Sequence, residues 1–297
     1  MTTYAYYPGC SLETMAASYH VSATEVARRL GIDLVEIEDW NCCGATAYSQ
    51  VDELLAQVLC ARNLALAEQS GRTDVVAPCS ACFKNLSFAN LHMQDDGDLL
   101  EHMNYALDAD GLAYSGSVRV HHLMGMLVDE VGIDAIRARV TKPQEGLRVA
   151  VYYGCQLVRP HRPGQGMQDV EDPRFFEDLM EAIGADVVPF PHRLRCCGGS
   201  LIVTSRKAAL AMLHELLRSA GESGADLIVT ACPLCQVNLE LYQAEVNREF
   251  GAEFKMPVVY FTQLMGLALG ASPKQVGIGS EIVKAGSVLA CRGAATP

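Results

Sequence analysis

The sequence predicts an α/β protein written twice. Three observations lead there: a cysteine pattern that recurs after about 150 residues, apolar β-rich segments that alternate with helical text, and a glycine closing the first such segment of each copy just before a cysteine. The first copy holds Cys10, the adjacent pair Cys42-Cys43, and Cys79-x-x-Cys82; the second holds Cys155, Cys196-Cys197, and Cys232-x-x-Cys235. The groups are separated by 31 and 35 residues in the first copy and by 40 and 34 in the second. Ten of the twelve cysteines obey this one pattern, which chance does not produce twice in register.

Each copy repeats the same order of elements. "TTYAYYPG" and "LRVAVYYG" read as first strands, followed by amphipathic helices over 15–30 and 175–183. "IDLVEIED" and "ADVVPFP" read as second strands leading to the double cysteines. After another helix, "TDVVAP" and "ADLIVTA" read as third strands leading into each CxxC. "SVRVHHL" and "MPVVYFTQL" supply a fourth strand and a last helix, which His121 and His122 are expected to begin. Strands that alternate with helices make parallel sheets, whose ligands gather beyond the carboxyl ends of the strands. The expected architecture is therefore two duplicated Rossmann-like domains related by pseudo-two-fold symmetry, with each set of five cysteines drawn together from three loops. Charge, Pro and Gly interrupt the apolar pattern over 137–149. The expected units are an N-terminal domain over 1–140, a C-terminal domain over 147–270, and a small-residue-rich tail over 271–297, loosely ordered or draped over a neighbour.

Composition narrows the chemistry. A formal charge of −12 argues against nucleic-acid binding, which relies on clustered basic residues. The first residues, "MTTYAYYPGC", have neither the basic start nor the apolar run of a signal peptide. No stretch approaches the roughly 18 apolar residues of a membrane span. A cytoplasmic location is expected, and disulfides rarely persist there, so the thiols point to metal ligation or redox chemistry.

Three uses of five converging thiols compete. Buried cysteines acting as small hydrophobes explain one or two, not ten in duplicate. A structural zinc site uses four ligands, usually from paired CxxC knuckles, whereas here one CxxC meets a CC and a lone Cys. Iron–sulfur ligation is favoured, because several irons bridged by sulfide can use an odd number of thiolates.

The order Cys, then CCG, then CxxC, present twice, resembles the B-type subunit of heterodisulfide reductase and the wider family of cysteine-rich CCG domains. The resemblance covers nearly the whole chain. It implies two noncubane 4Fe–4S clusters, one on Cys10, Cys42, Cys43, Cys79 and Cys82, the other on Cys155, Cys196, Cys197, Cys232 and Cys235. Adjacent thiolates would then serve two iron subunits that share a junction, and Cys42, Cys43, Cys196 and Cys197 would face the substrate cavity. One zinc in place of a cluster stays as the alternative. The second copy departs from the pattern by nine extra residues before its CC, read as a loop insertion, "RPHRPGQGMQDVEDPR". Cys60 reads as a core residue and Cys291 as an incidental thiol.

Charge differs between the copies. Glu36, Glu38 and Asp39 precede the first CC, whereas Arg159, His161, Arg162, His192, Arg193 and Arg195 gather around the second set. Guanidinium groups suit anionic substrates, and a basic loop equally suits an acidic partner. Tyr6, Tyr7, Tyr152 and Tyr153 flank the lone cysteines and read as packing walls. The expected function is an iron–sulfur redox subunit that splits or forms a disulfide or related sulfur–sulfur bond. No GxGxxG-type fingerprint is present, so electrons are expected from elsewhere. The resemblance implies a small ferredoxin-like C-type subunit and a flavin-bearing A-type subunit as partners, with a disulfide, thiol or protein persulfide as substrate. Two alternatives stand beside it: an electron-relay or docking subunit of a succinate- or lactate-type dehydrogenase, and a subunit of a bacterial sulfur-oxidation complex.

Overall fold

A computed structural model describes residues 2–45, 48–159 and 170–290. His161, Arg162 and Cys291 lie outside the described residues, as does most of the inserted loop. Strands β1 (Thr2–Tyr6), β2 (Ile32–Glu36), β3 (Asp74–Ala77) and β4 (Arg119–His122) form one parallel sheet in the order β2-β1-β3-β4. Strands β5 (Arg148–Tyr152), β6 (Asp186–Val187), β7 (Leu227–Thr230) and β8 (Val258–Tyr260) repeat it as β6-β5-β7-β8. The duplicated α/β architecture is thus present in full.

Period-two alternation sorts the strand side chains between two cores. Tyr4 and Tyr6 of β1, and Val149 and Val151 of β5, face a core shared by both halves. Ala5 and Val75 face a second core within the first half, and Ala150 and Ile228 a third within the second half. The shared core is filled by the helices Ala17–Leu30 and Phe261–Ala268, which pack on one another between the sheets. In the first of these, Tyr19, Ser22, Ala23, Val26, Ala27 and Leu30 are buried, the i, i+3/i+4 stripe of a core-facing helix. It ends at Gly31, whose left-handed backbone (φ 75°) lets its N–H cap the last turn. Two residues at its start are lost to the turns after Cys10, where Leu12 N–H donates to the Gly9 carbonyl.

Two local expectations are corrected. His121 and His122 close β4 instead of beginning a helix; His122 caps the next one, its Nδ1 accepting from Met124 N–H. The second strand of the C-terminal half is cut to two residues. Val188 N–H still donates to the Val149 carbonyl, but Pro189 has no amide hydrogen to extend the ladder. The described part of the tail drapes over the molecule: Val276 and Ala285 are fully buried, and Gly277 sits against Ser18 of the first helix.

Candidate functional site

Every patterned cysteine lies beyond the carboxyl end of a strand, in the loop or the first helical turn that follows it. Cys79 and Cys232 are the N-caps of the helices Ser80–Asp95 and Pro233–Leu241, so Cys82 and Cys235 fall in their first turns. The amide of Cys82 donates to the Cys79 thiol, and the amides of Leu234 and Cys235 donate to that of Cys232. At Cys232 the Cys235 and Cys79 thiols and these amides hold the pKa well below the ordinary thiol range, whereas at Cys79 donation to Cys232 outweighs the amide and pushes it well up.

The sulfurs form a continuous series. Cys10 and Cys42 stand 3.9 Å apart, Cys43 and Cys82 3.4 Å, and in the second half Cys155 and Cys196 3.9 Å. Cys79 and Cys232 interact across the boundary between the halves, so the two sets meet. Cys42 and Cys196, each accepting first from the lone cysteine's thiol and then from the next cysteine, are held far below the ordinary thiol range. Donation to those two sulfurs pushes Cys10 and Cys155 up, and Cys43 and Cys197 up to about 12. All five thiols of the second set line one chamber of about 230 Å³. Ala45 and Ala81 of the first half complete its wall, and no charged side chain lines it. Cys10 and Cys42 instead open onto a broader hollow of about 510 Å³, bordered by Glu13, Glu36, Glu38, Asp39 and Trp40.

The same supports hold both double-cysteine loops. Tyr7 hydroxyl donates to the Asn41 carbonyl (2.7 Å), and Tyr152 hydroxyl to the Arg195 carbonyl (2.6 Å), each the residue before a CC. Asn85 Nδ2 donates to the Cys43 carbonyl and Asn238 Nδ2 to that of Cys197 (3.1 and 3.2 Å). Gly9 and Gly154 adopt left-handed backbone (φ 73° and 69°), and a Cβ on them would meet the sulfurs of Cys82 and Cys235 at 2.9 and 3.0 Å. Tyr7 and Tyr152 are walls, as their place in the sequence suggests, and also hydroxyl pins. Sequence reasoning missed the asparagines, although the repeated text "CFKNL" and "CQVNL" contains them. Cys60 is a core residue whose thiol donates to the Cys43 carbonyl.

The basic group is dispersed. Arg159 pairs with Glu171 (3.1 Å), and Arg193 pairs with Asp172 and with the buried Glu177 (3.0 Å). Glu177 in turn takes the hydroxyl of Tyr153. Arg193 thus anchors the first strand of its half, and its carbonyl receives the amides of Tyr153 and Gly154. His192 Nδ1 is buried, and burial followed by the Arg195 charge lowers its proton affinity. Arg195 is exposed beside the CC loop. None of Arg159, His192, Arg193 and Arg195 borders the chamber.

The cysteine-rich CCG domain family matches residues 4–87 and 149–240, one match per half. The chain belongs to this family. Among its relatives, the 8-methylmenaquinol:fumarate reductase membrane anchor subunit of Wolinella succinogenes is 36% identical over 95% of this chain and 97% of its own length. The B-type subunit of a ferredoxin/F420H2-dependent CoB-CoM heterodisulfide reductase of Methanosarcina acetivorans is 32% identical over 96% of this chain and 95% of its own. The CCG protein is also similar in fold to a hypothetical protein from Helicobacter pylori (TM-score 0.76, 13% identity, 95% of this chain and 52% of that one). The Wolinella and Methanosarcina relatives are both reductase subunits. Among the described residues no helix is long and apolar enough to cross a membrane.

The donor set fits an iron–sulfur group better than a single ion. Five cysteines border one chamber, one more than the four ligands that a structural zinc takes. The thiols run as pairs along a wall, and five of them border one chamber. Such a line of donors suits several irons. The pins supply a check on this support. Tyr152→Phe keeps the ring but leaves the Arg195 carbonyl without its donor, at a cost of about 1–3 kcal/mol. The variant is expected to melt a few degrees lower and to release iron faster to a chelator than the parent protein.

Proposed function

We propose that this CCG protein is the iron–sulfur redox subunit of a complex that reduces, or in reverse forms, a disulfide or related sulfur–sulfur bond. The observation that carries this reading is the single chamber bordered by Cys155, Cys196, Cys197, Cys232 and Cys235. Cys10, Cys42, Cys43, Cys79 and Cys82 are the second ligand set, and each set would hold one noncubane 4Fe–4S cluster. When bound, the clusters supply one-electron steps and iron that accepts thiolate sulfur. The chain's own residues do the rest. Tyr7, Tyr152, Asn85 and Asn238 fix the double-cysteine loops, and Ala45, Ala81, Leu201, Leu234 and Met212 give the chamber an apolar wall. Arg195, exposed beside the double-cysteine loop, would meet an anionic substrate or partner. Cleavage of a disulfide takes two electrons and two protons to give two thiols. The electrons would come from a ferredoxin-like C-type subunit served by a flavin-bearing A-type subunit.

A second reading, an electron-relay subunit that docks on a dehydrogenase and has no substrate of its own, is favoured by one surface feature. After each CCG the chain exposes apolar side chains: Val51 is 87% exposed, beside Leu54 and Leu55, and Val203 is 85% exposed, beside Leu201. Such patches mark contact surfaces. Protein purified without oxygen decides between the readings. About eight irons per chain are expected from two four-iron clusters, and candidate thiols should induce a paramagnetic signal at one of them. Reducible clusters indifferent to thiols would favour the relay; one zinc with four irons would mean that one half has been repurposed.

A further inference from the structure

The turns that carry Cys79 and Cys232 meet at one side chain. Tyr19 is fully buried near the start of the helix Ala17–Leu30. Its hydroxyl donates to the Pro78 carbonyl (3.0 Å) and to the Ala231 carbonyl (3.3 Å). These are the residues immediately before Cys79 and Cys232, the two cysteines that interact across the halves. One hydroxyl on one half therefore ties both ligand-bearing turns to the same point. The ring is held flat against Tyr260 at the end of β8 (centroids 4.2 Å apart, planes 6° apart). Ser80 Oγ adds a further bond across the boundary, to the Ala231 carbonyl (3.4 Å). Nothing comparable is needed to hold two independent sites.

We propose that Tyr19 is a positioning residue shared by both centres, and that by tying together the turns that lead into Cys79 and Cys232 it makes the centres one coupled redox pair. This rests on the iron–sulfur reading above. With clusters bound, each centre would take up one electron from a one-electron donor, and the charge at one would be felt at the other, so their midpoints would belong to the pair. Hydrogen bonds near ligand sulfurs tune such potentials. The Tyr19 hydroxyl polarises the peptide ahead of one ligand in each set, so its loss must act on both.

The test is potentiometric EPR with dithionite as the electron donor, on the whole chain loaded with iron. In the parent protein, spectra of the doubly reduced state should show mutual broadening that is absent when one electron has entered. Tyr19→Phe keeps the ring and its stack and removes only the two hydrogen bonds. Both midpoints should shift together to lower values, with iron content unchanged. Tyr260→Phe, which keeps the stack and spares both carbonyl bonds, should leave the midpoints where they were. A shift of one centre alone, or of neither, overturns the proposal. Should Tyr19→Phe lose its iron, the parent protein still decides: two reduced centres without magnetic interaction overturn the proposal. Protein that binds no iron would instead sink the reading beneath it.

Discussion

Alanine at Cys197 is expected to lower the iron content from about eight to about four per chain and to destabilise the C-terminal half. Cys197 is buried, with only 2% of its surface exposed. Its carbonyl is held by Asn238, and its thiol interacts with those of Cys196 and Cys235. Ligation joins three loops of the half, so its loss loosens strand ends as well as chemistry. A loss of about 2–3 kcal/mol corresponds to a melting temperature lower by roughly 5–10 °C. Cys43→Ala should do the same in the N-terminal half. Metal analysis and calorimetry on both variants are the checks. Full iron with unchanged melting in either would remove that cysteine from the ligand set.

Gly154→Ala should be nearly as severe, for a different reason. The left-handed backbone costs a residue with a side chain about 1–2 kcal/mol. The new methyl would also stand 3.0 Å from the Cys235 sulfur, so the thiol must move. Gly251→Ala separates the two effects. Gly251 has the same backbone hand (φ 65°) at the end of the helix Gln243–Phe250, with no atom near the added methyl. It should lose the backbone term and keep its iron, whereas Gly154→Ala should lose both. Equal iron in the two variants would show that the glycine serves the turn and not the sulfur.

The duplication, the ten cysteines and the strand order were legible because each rests on local text repeated twice. A repeat also makes the same strand ends, and strand ends are where a parallel sheet places its loops. The shared core was not legible: apolar residues at alternate positions say that both faces of β1 and β5 are covered, not by what. Nor was the fate of the basic group. Arg193 lies 16 residues from Glu177 in sequence, and only the fold shows that the carboxylate takes it. Charge clusters in a sequence count cations but not the anions that the chain folds against them. The Asn85 and Asn238 contacts were within reach, since both stand three residues after the second cysteine of a CxxC.

The shared core has a consequence for how such a chain arose. Val26 and Ala27 of one half and Leu264 and Met265 of the other belong to a single apolar interior. Lys142 N–H, between the halves, donates to the Ala268 carbonyl, and Arg29 of the first helix donates to the Leu269 carbonyl. Either half made alone would turn that interior out to water. On this packing a chain with a single copy of the motif is expected to need a twin to fold, and joining two copies makes that pairing intramolecular. Where the two copies need not match they differ, with one mouth acidic and wide and the other uncharged and narrow.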